Sequence, residues 1–167
     1  MDQEIPANPP AEAVLKQHPT FLIGAIANKL VNSGSALYRR HFGIGFTEWR
    51  IMVMLALEPR VTAKRISEVV GLDKAAISRG LRDLDRAGLI EPTPETVGRR
   101  SRDYVLSAEG WALHARIGKI AGEYERRLLA RIEPHELPVL LDMLQRLLAQ
   151  TPRVAAFRPA GSDFGPQ

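Results

Sequence analysis

The sequence predicts a mainly α fold carrying one small β-hairpin. Three observations predict it. Apolar residues recur at helical spacing in six segments. Strand-type patterning is confined to two short runs lying close together. Capping residues, glycines and prolines fall between these segments, where helix boundaries belong.

Residues 1–18 read as a mobile arm, because Pro6, Pro9 and Pro10 and few large apolar groups leave little to bury. The first helix runs over 20–42, with Ile23, Ile26, Leu30, Leu37 and Phe42 at helical spacing and Gly43 as its stop. Gly34 lies inside it and should weaken it by about 1 kcal/mol relative to Ala. Thr47 is the expected cap of a second helix reaching about Glu58, with Pro59 beyond. Thr62 caps a short third helix ending at Gly71, and Asp73 caps a fourth ending at Gly88. The β-type runs are Leu89–Thr93 and Arg102–Leu106, joined by the polar, basic segment Pro94–Ser101. Ser107 then caps a long helix through about Ile132. Pro134 suits the first turn of a last helix reaching about Gln150. Residues 151–167, with Pro152, Pro159, Gly161 and Gly165, read as a tail whose Phe157 and Phe164 offer partial docking points. There is no internal repeat.

Composition narrows the function classes. The 167 residues carry a net charge of +4, which fits an anionic partner without requiring one. The absence of cysteine excludes disulfides, thiolate metal sites and thiol redox sensing. Met1-Asp2-Gln3-Glu4-Ile5-Pro6 has neither the basic nor the apolar region of a secretory signal. The longest apolar stretches, such as Ile51–Leu57, are far too short for a membrane span, so a soluble, cytoplasmic protein is expected. His18, His41, His114 and His135 are scattered and form no ligand pair. No Gly-rich phosphate loop follows a strand. Glu123 and Glu125 point in different directions on one helix. Neither catalysis, a metal nor a cofactor is expected.

The informative stretch is Thr62–Leu84, two helices around Gly71-Leu72-Asp73. Gly71 supplies the backbone geometry of a tight helix-to-helix turn. Ile66, Val69 and Val70 form the expected inner face of the first helix, and Ile77, Leu81 and Leu84 that of the second, with Leu72 plugging the junction. Lys74, Ala75, Ser78, Arg79 and Arg82 are then left outward, a small cationic face fit to enter a DNA major groove. Alone, this pattern also describes a helical hairpin with a solvated charged face. The basic hairpin tip that follows, with Arg99, Arg100 and Arg102, adds a phosphate or minor-groove probe beside it.

The run GLDKAAISRGLRDLDRAGLIE, followed by GRRSRDYVLSAEG, resembles the MarR family of winged helix-turn-helix regulators. The resemblance spans about Thr20 to Leu148. It implies a winged helix-turn-helix at 47–107, with a two-stranded β-hairpin wing. It also implies dimerisation helices at 20–46 and 108–150, and a sequence-specific, homodimeric DNA-binding regulator, usually a repressor. Arg100, Tyr104, Leu106, Ser107 and Gly110 fill the places of the family's wing pattern. Gly98 stands where the family usually has an Asp that braces the wing arginine. Ala75-Ala76 stands where relatives often have Ser or Thr; Ala packs on a thymine methyl but forms no hydrogen bond to a base edge. Ser78 and Arg79 are therefore expected to read bases, and Thr62, Lys64 and Lys74 to touch phosphates.

The dimer has independent support in Leu128, Leu129, Ile132, Leu137, Val139, Leu140, Leu141, Met143, Leu144, Leu147 and Leu148, more apolar surface than two exposed terminal helices sustain. Many members of the family are released from DNA by small, often aromatic, acids. The matching pocket region here includes Arg39, Arg40, His41, Trp49, Arg50 and Trp111, with guanidinium for a carboxylate and indole for a ring. Each of these residues also has an ordinary core, surface or salt-bridge reading. A small aromatic carboxylate or its acyl thioester is the expected effector. The alternative is a winged-helix module that binds only proteins, which would not need cations on the outward helix and the hairpin tip together.

Overall fold

A computed structural model describes residues 11–93 and 103–158. They form seven helices and three strands: α1 (Ala11–Leu15), α2 (Pro19–Phe42), α3 (Phe46–Leu57), β1 (Val61–Thr62), α4 (Ala63–Val70), α5 (Lys74–Arg86), β2 (Ile90–Pro92), β3 (Asp103–Leu106), α6 (Ala108–Leu128) and α7 (Leu137–Ala156). The chain divides into two compact units, Met1–Ile120 and Ala121–Gln167.

The first unit holds the core. Every buried apolar side chain among the described residues lies between Tyr38 and Ile117, with Ile51, Met52, Ile66, Ile77, Leu84 and Ile117 fully enclosed. α2 stops where Gly43 turns left-handed at φ 73°. Gly34, expected only to weaken α2, lets α3 approach: a Cβ there would meet the Phe46 ring at 2.7 Å. α3 begins before Thr47, which is not its cap. The helix starts at Phe46, packed on Gly34 and stacked on Tyr38. Glu48 accepts a hydrogen bond from the Gly45 N–H at 2.8 Å to close that end.

The sheet is antiparallel in the order β1-β3-β2. Ile90 faces Leu106 and Pro92 faces Tyr104, which is the expected hairpin. β1 adds a strand through Val61 opposite Tyr104 and Thr62 opposite Asp103. Two residues are too few to show an alternating pattern, so this strand left no sequence signal. Ser107 ties the hairpin to α6. Its hydroxyl donates to the Gly88 carbonyl at 2.7 Å and accepts from the Gly110 N–H at 3.0 Å.

In the second unit α6 ends at Leu128, short of Ile132, and a turn follows. Pro134 does not open the last helix. α7 starts at Leu137, with Pro138 in its first turn, where a missing N–H costs nothing. α7 also continues through Pro152 to Ala156, past the expected end at Gln150. Pro152 cannot donate to the Leu148 carbonyl, but the Thr151 hydroxyl does so at 2.8 Å. No residue of α7 is buried. Among the described residues no helix is long and apolar enough to cross a membrane.

Candidate nucleic-acid interface

The helix-turn-helix is built from α4 and α5 by local hydrogen bonds that the sequence encodes. The Thr62 hydroxyl oxygen accepts from the Arg65 N–H at 3.2 Å and caps α4. Gly71 adopts φ 70° and its N–H reaches the Ser67 carbonyl at 2.9 Å. Asp73 accepts from the Ala76 N–H at 2.8 Å and caps α5. Ile66, Val70, Ile77, Leu81 and Leu84 are buried, as the inner faces require. Val69 is not part of that face. It is 48% exposed, because α4 is only eight residues long and its buried stripe falls on Ile66 and Val70. Leu72 at the junction is half-buried.

Lys74, Ala75, Ser78, Arg79 and Arg82 are all exposed on α5, and Lys64 is exposed on α4. Acid pairing around them is selective. Glu58 holds Arg65 at 3.2 Å and raises its pKa by hydrogen bonding and charge; Asp83 holds Arg86 at 2.9 Å. Lys64 has a loose contact with Glu68 at 3.8 Å. Among the described residues no carboxylate pairs with Lys74, Arg79 or Arg82. Among the described residues, the outer face of α5 therefore carries three cations and one hydroxyl without a side-chain partner. Gly80, on the opposite side, brings α5 onto α3: a Cβ there would lie 2.6 Å from Ile51 Cδ1. That close approach was not anticipated; a lone glycine inside a helical pattern is its only sequence trace. Arg99, Arg100 and Arg102, with Gly98, lie outside the described residues.

The six expected effector residues do not gather at one place. Trp49 is buried, and its ring lies 5.1 Å from His114 and 6.1 Å from Tyr38. Trp111 is 48% exposed and meets the same histidine at 5.8 Å, edge to face. His114, which sequence reasoning counted only among scattered histidines, joins the two tryptophans. Burial lowers its pKa, so it is neutral at pH 7. Arg39 lines a cleft of about 300 Å³ with Gly43, Ile44, Gly45, Glu48, Asp83, Arg86 and Ala87. Arg40 and His41 are exposed, and the Arg50 guanidinium donates to the Val70 carbonyl.

The MarR family model matches residues 42–101, the helix-turn-helix and the start of the wing. A MarR/EmrR family transcriptional regulator from Acinetobacter sp. ADP1 is 33% identical, over 83% of this chain and 98% of that one, with a TM-score of 0.77. The MepR–DNA complex of S. aureus is 18% identical over 80% and 98%, with a TM-score of 0.69. CouR from Rhodococcus jostii RHA1, bound to p-coumaroyl-CoA, is 17% identical over 80% and 94%, with a TM-score of 0.69. These last two likenesses establish the fold alone. No curated protein matches the chain significantly. With its helix-turn-helix, its sheet and a near full-length relative at this identity, the chain belongs to the MarR family of transcriptional regulators.

Proposed function

We propose that this regulator is a homodimeric, sequence-specific DNA-binding repressor. The observation that carries the reading is the outer face of α5, where Lys74, Ala75, Ser78, Arg79 and Arg82 are exposed opposite buried Ile77, Leu81 and Leu84. In this reading α5 enters the major groove. Ser78 and Arg79 address base edges, Ala75 packs on a thymine methyl, and Lys74, Arg82, Thr62 and Lys64 address phosphates. Arg99, Arg100 and Arg102 extend the contact at the wing. A relative of the same fold has been solved on DNA. The unburied apolar residues of α7, and those of α2 near Phe21, Ile23 and Ile26, are surfaces for a second copy. Two-fold symmetry then calls for a pseudo-palindromic operator with half-sites about one helical turn apart.

The effector in this reading is a small aromatic acid or its thioester, received beside Trp49, His114 and Trp111. Trp49, His114 and Trp111 offer faces and edges for an aromatic ring. A relative of the same fold binds p-coumaroyl-CoA. The ligand would release DNA only by the difference in its affinity for the bound and free states.

The test is a gel shift on the protein's own upstream DNA, with a salt series and the Arg79→Ala variant. Expected are specific binding, a log–log salt slope of about −0.9 per neutralised phosphate, and a loss of about tenfold or more in the variant. Binding insensitive to salt and to Arg79→Ala would instead mark a module that binds only proteins. A panel of phenolic and hydroxycinnamic acids and their thioesters that left the shift unchanged would end the effector reading.

A further inference from the structure

The turn before α5 is held both from α4 within the helix-turn-helix and from α3 outside it. Gly71 itself has nothing within 4 Å of where a Cβ would lie, so packing does not wedge the turn. Its two neighbours are held instead. The Leu72 carbonyl accepts from the Ser67 hydroxyl at 2.6 Å, and the Val70 carbonyl accepts from the Arg50 guanidinium of α3. The Val70 carbonyl lies at the end of a short helix, where the last turn lacks intrahelical partners and carries partial negative charge, and the Leu72 carbonyl lies in the turn itself.

The arginine is placed for this task. It is half-buried, and burial lowers its pKa with no carboxylate counteracting the effect. A cation kept away from water without an acid is costly unless hydrogen bonding offsets it. The α4 carbonyl end supplies that offset. The α3 backbone that carries Arg50 is anchored by buried Trp49 and Ile51 on either side of it. Ile51 is the residue on which α5 rests at Gly80. The helix that seats α5 thus also grips the turn leading into it.

We propose that Arg50 is a positioning residue for DNA reading, tethering the α4–α5 turn to α3 together with Ser67. This rests on the DNA-binding reading above. Arg50 sets the angle of α5 and touches no phosphate.

The test compares full-length wild type, Arg50→Met, Arg50→Lys and Ser67→Ala on the upstream duplex over a salt series. Urea unfolding and amide exchange at Leu72–Ile77 are measured alongside. Arg50→Met is expected to fold and to lose about tenfold in affinity, the scale of one charge-assisted hydrogen bond. Its salt slope should match wild type and its turn amides should exchange faster, while Arg50→Lys recovers part of the loss. An affinity within about twofold of wild type in the folded variant overturns the proposal. So does a slope reduced by about 0.9, which would mean a direct phosphate contact. If Arg50→Met does not fold, Ser67→Ala decides. About threefold weaker binding at unchanged slope supports the tether, and unchanged binding overturns it. If wild type itself binds no DNA, the DNA reading fails, and the amide exchange alone then decides whether the tether exists.

Discussion

The stretch from Tyr38 to Ile117 and the helix α7 use apolar side chains in opposite ways. In the first, Ile51, Met52, Ile66, Ile77, Leu84 and Ile117 are sealed from water, and two glycines are spent on bringing helices closer. In α7, Val139, Leu141, Met143, Leu144, Leu147 and Leu148 are open to solvent, Leu148 at 68%. α7 is the richer of the two, with nine Leu, Val or Met among its 20 residues against 22 Leu, Ile, Val or Met among the 80 from Tyr38 to Ile117, so apolar content does not decide burial. What separates them is cover: the first stretch is sealed by its own side chains, whereas α7 keeps the exposed apolar surface that the proposed dimer would bury.

The largest test of that contrast is to charge α7. Leu144→Glu should cost little in an isolated chain, where the side chain is already 43% exposed. In a symmetric dimer it strands two carboxylates, and dimerisation should weaken by about 4 kcal/mol, roughly a thousandfold. Sedimentation equilibrium reads this directly. A wild-type protein that sediments as a monomer would break the comparison at once.

The next test strikes the self-contained region. A Cβ at Gly110 would lie 2.0 Å from the Leu89 carbonyl oxygen, a backbone atom that cannot swing aside. Gly110→Ala should therefore cost about 3 kcal/mol of unfolding free energy, measured in urea. A loss under about 1 kcal/mol would mean that the junction of hairpin and α6 is looser than its packing implies.

How much of this was legible in the sequence follows the range of the interactions. Thr62, Gly71, Asp73 and Ser107 are local devices, each satisfied within three or four residues or at a turn, and each was readable. Fold class and the outward face of α5 were readable because 3.6-residue periodicity divides buried from exposed positions. Gly34 looked like a flaw because its reason, the Phe46 ring, lies across a helix crossing. The Arg50 contact spans twenty residues, and Gly80 against Ile51 nearly thirty. No local pattern announces such pairs. The helix end near Pro152 was misplaced for a related reason. A proline marks a boundary only when no nearby donor takes over its duty, and the Thr151 hydroxyl does so.

A smaller effect sharpens the account of the reading head. Asp73→Ala leaves the Ala76 N–H without its acceptor and should cost about 1 kcal/mol. Because α5 begins there, operator affinity should fall along with stability. Asp73→Ser should restore most of both, since a hydroxyl also caps. If affinity held while stability dropped, α5 would be set by the α3 contacts alone.

The smallest expected effect concerns His114, which touches Trp49 and Trp111. Its pKa in the folded chain lies below the ordinary 6.5 because burial disfavours the imidazolium. The unfolded chain therefore binds the proton more readily. The stability linked to this group is fully present above pH 6.5 and is lost as pH falls through the lowered folded value. The histidine is half-buried rather than sealed, so the change is modest. His114→Phe keeps an aromatic ring against the indoles and removes the proton. Unfolding of wild type should be measurably easier at pH 5.5 than at pH 7.5, about one unit either side of the ordinary value, and the variant should flatten that difference. If the variant kept the full pH dependence, the acid sensitivity would belong to carboxylates elsewhere. His114 would then be a packing residue in the aromatic cluster and nothing more.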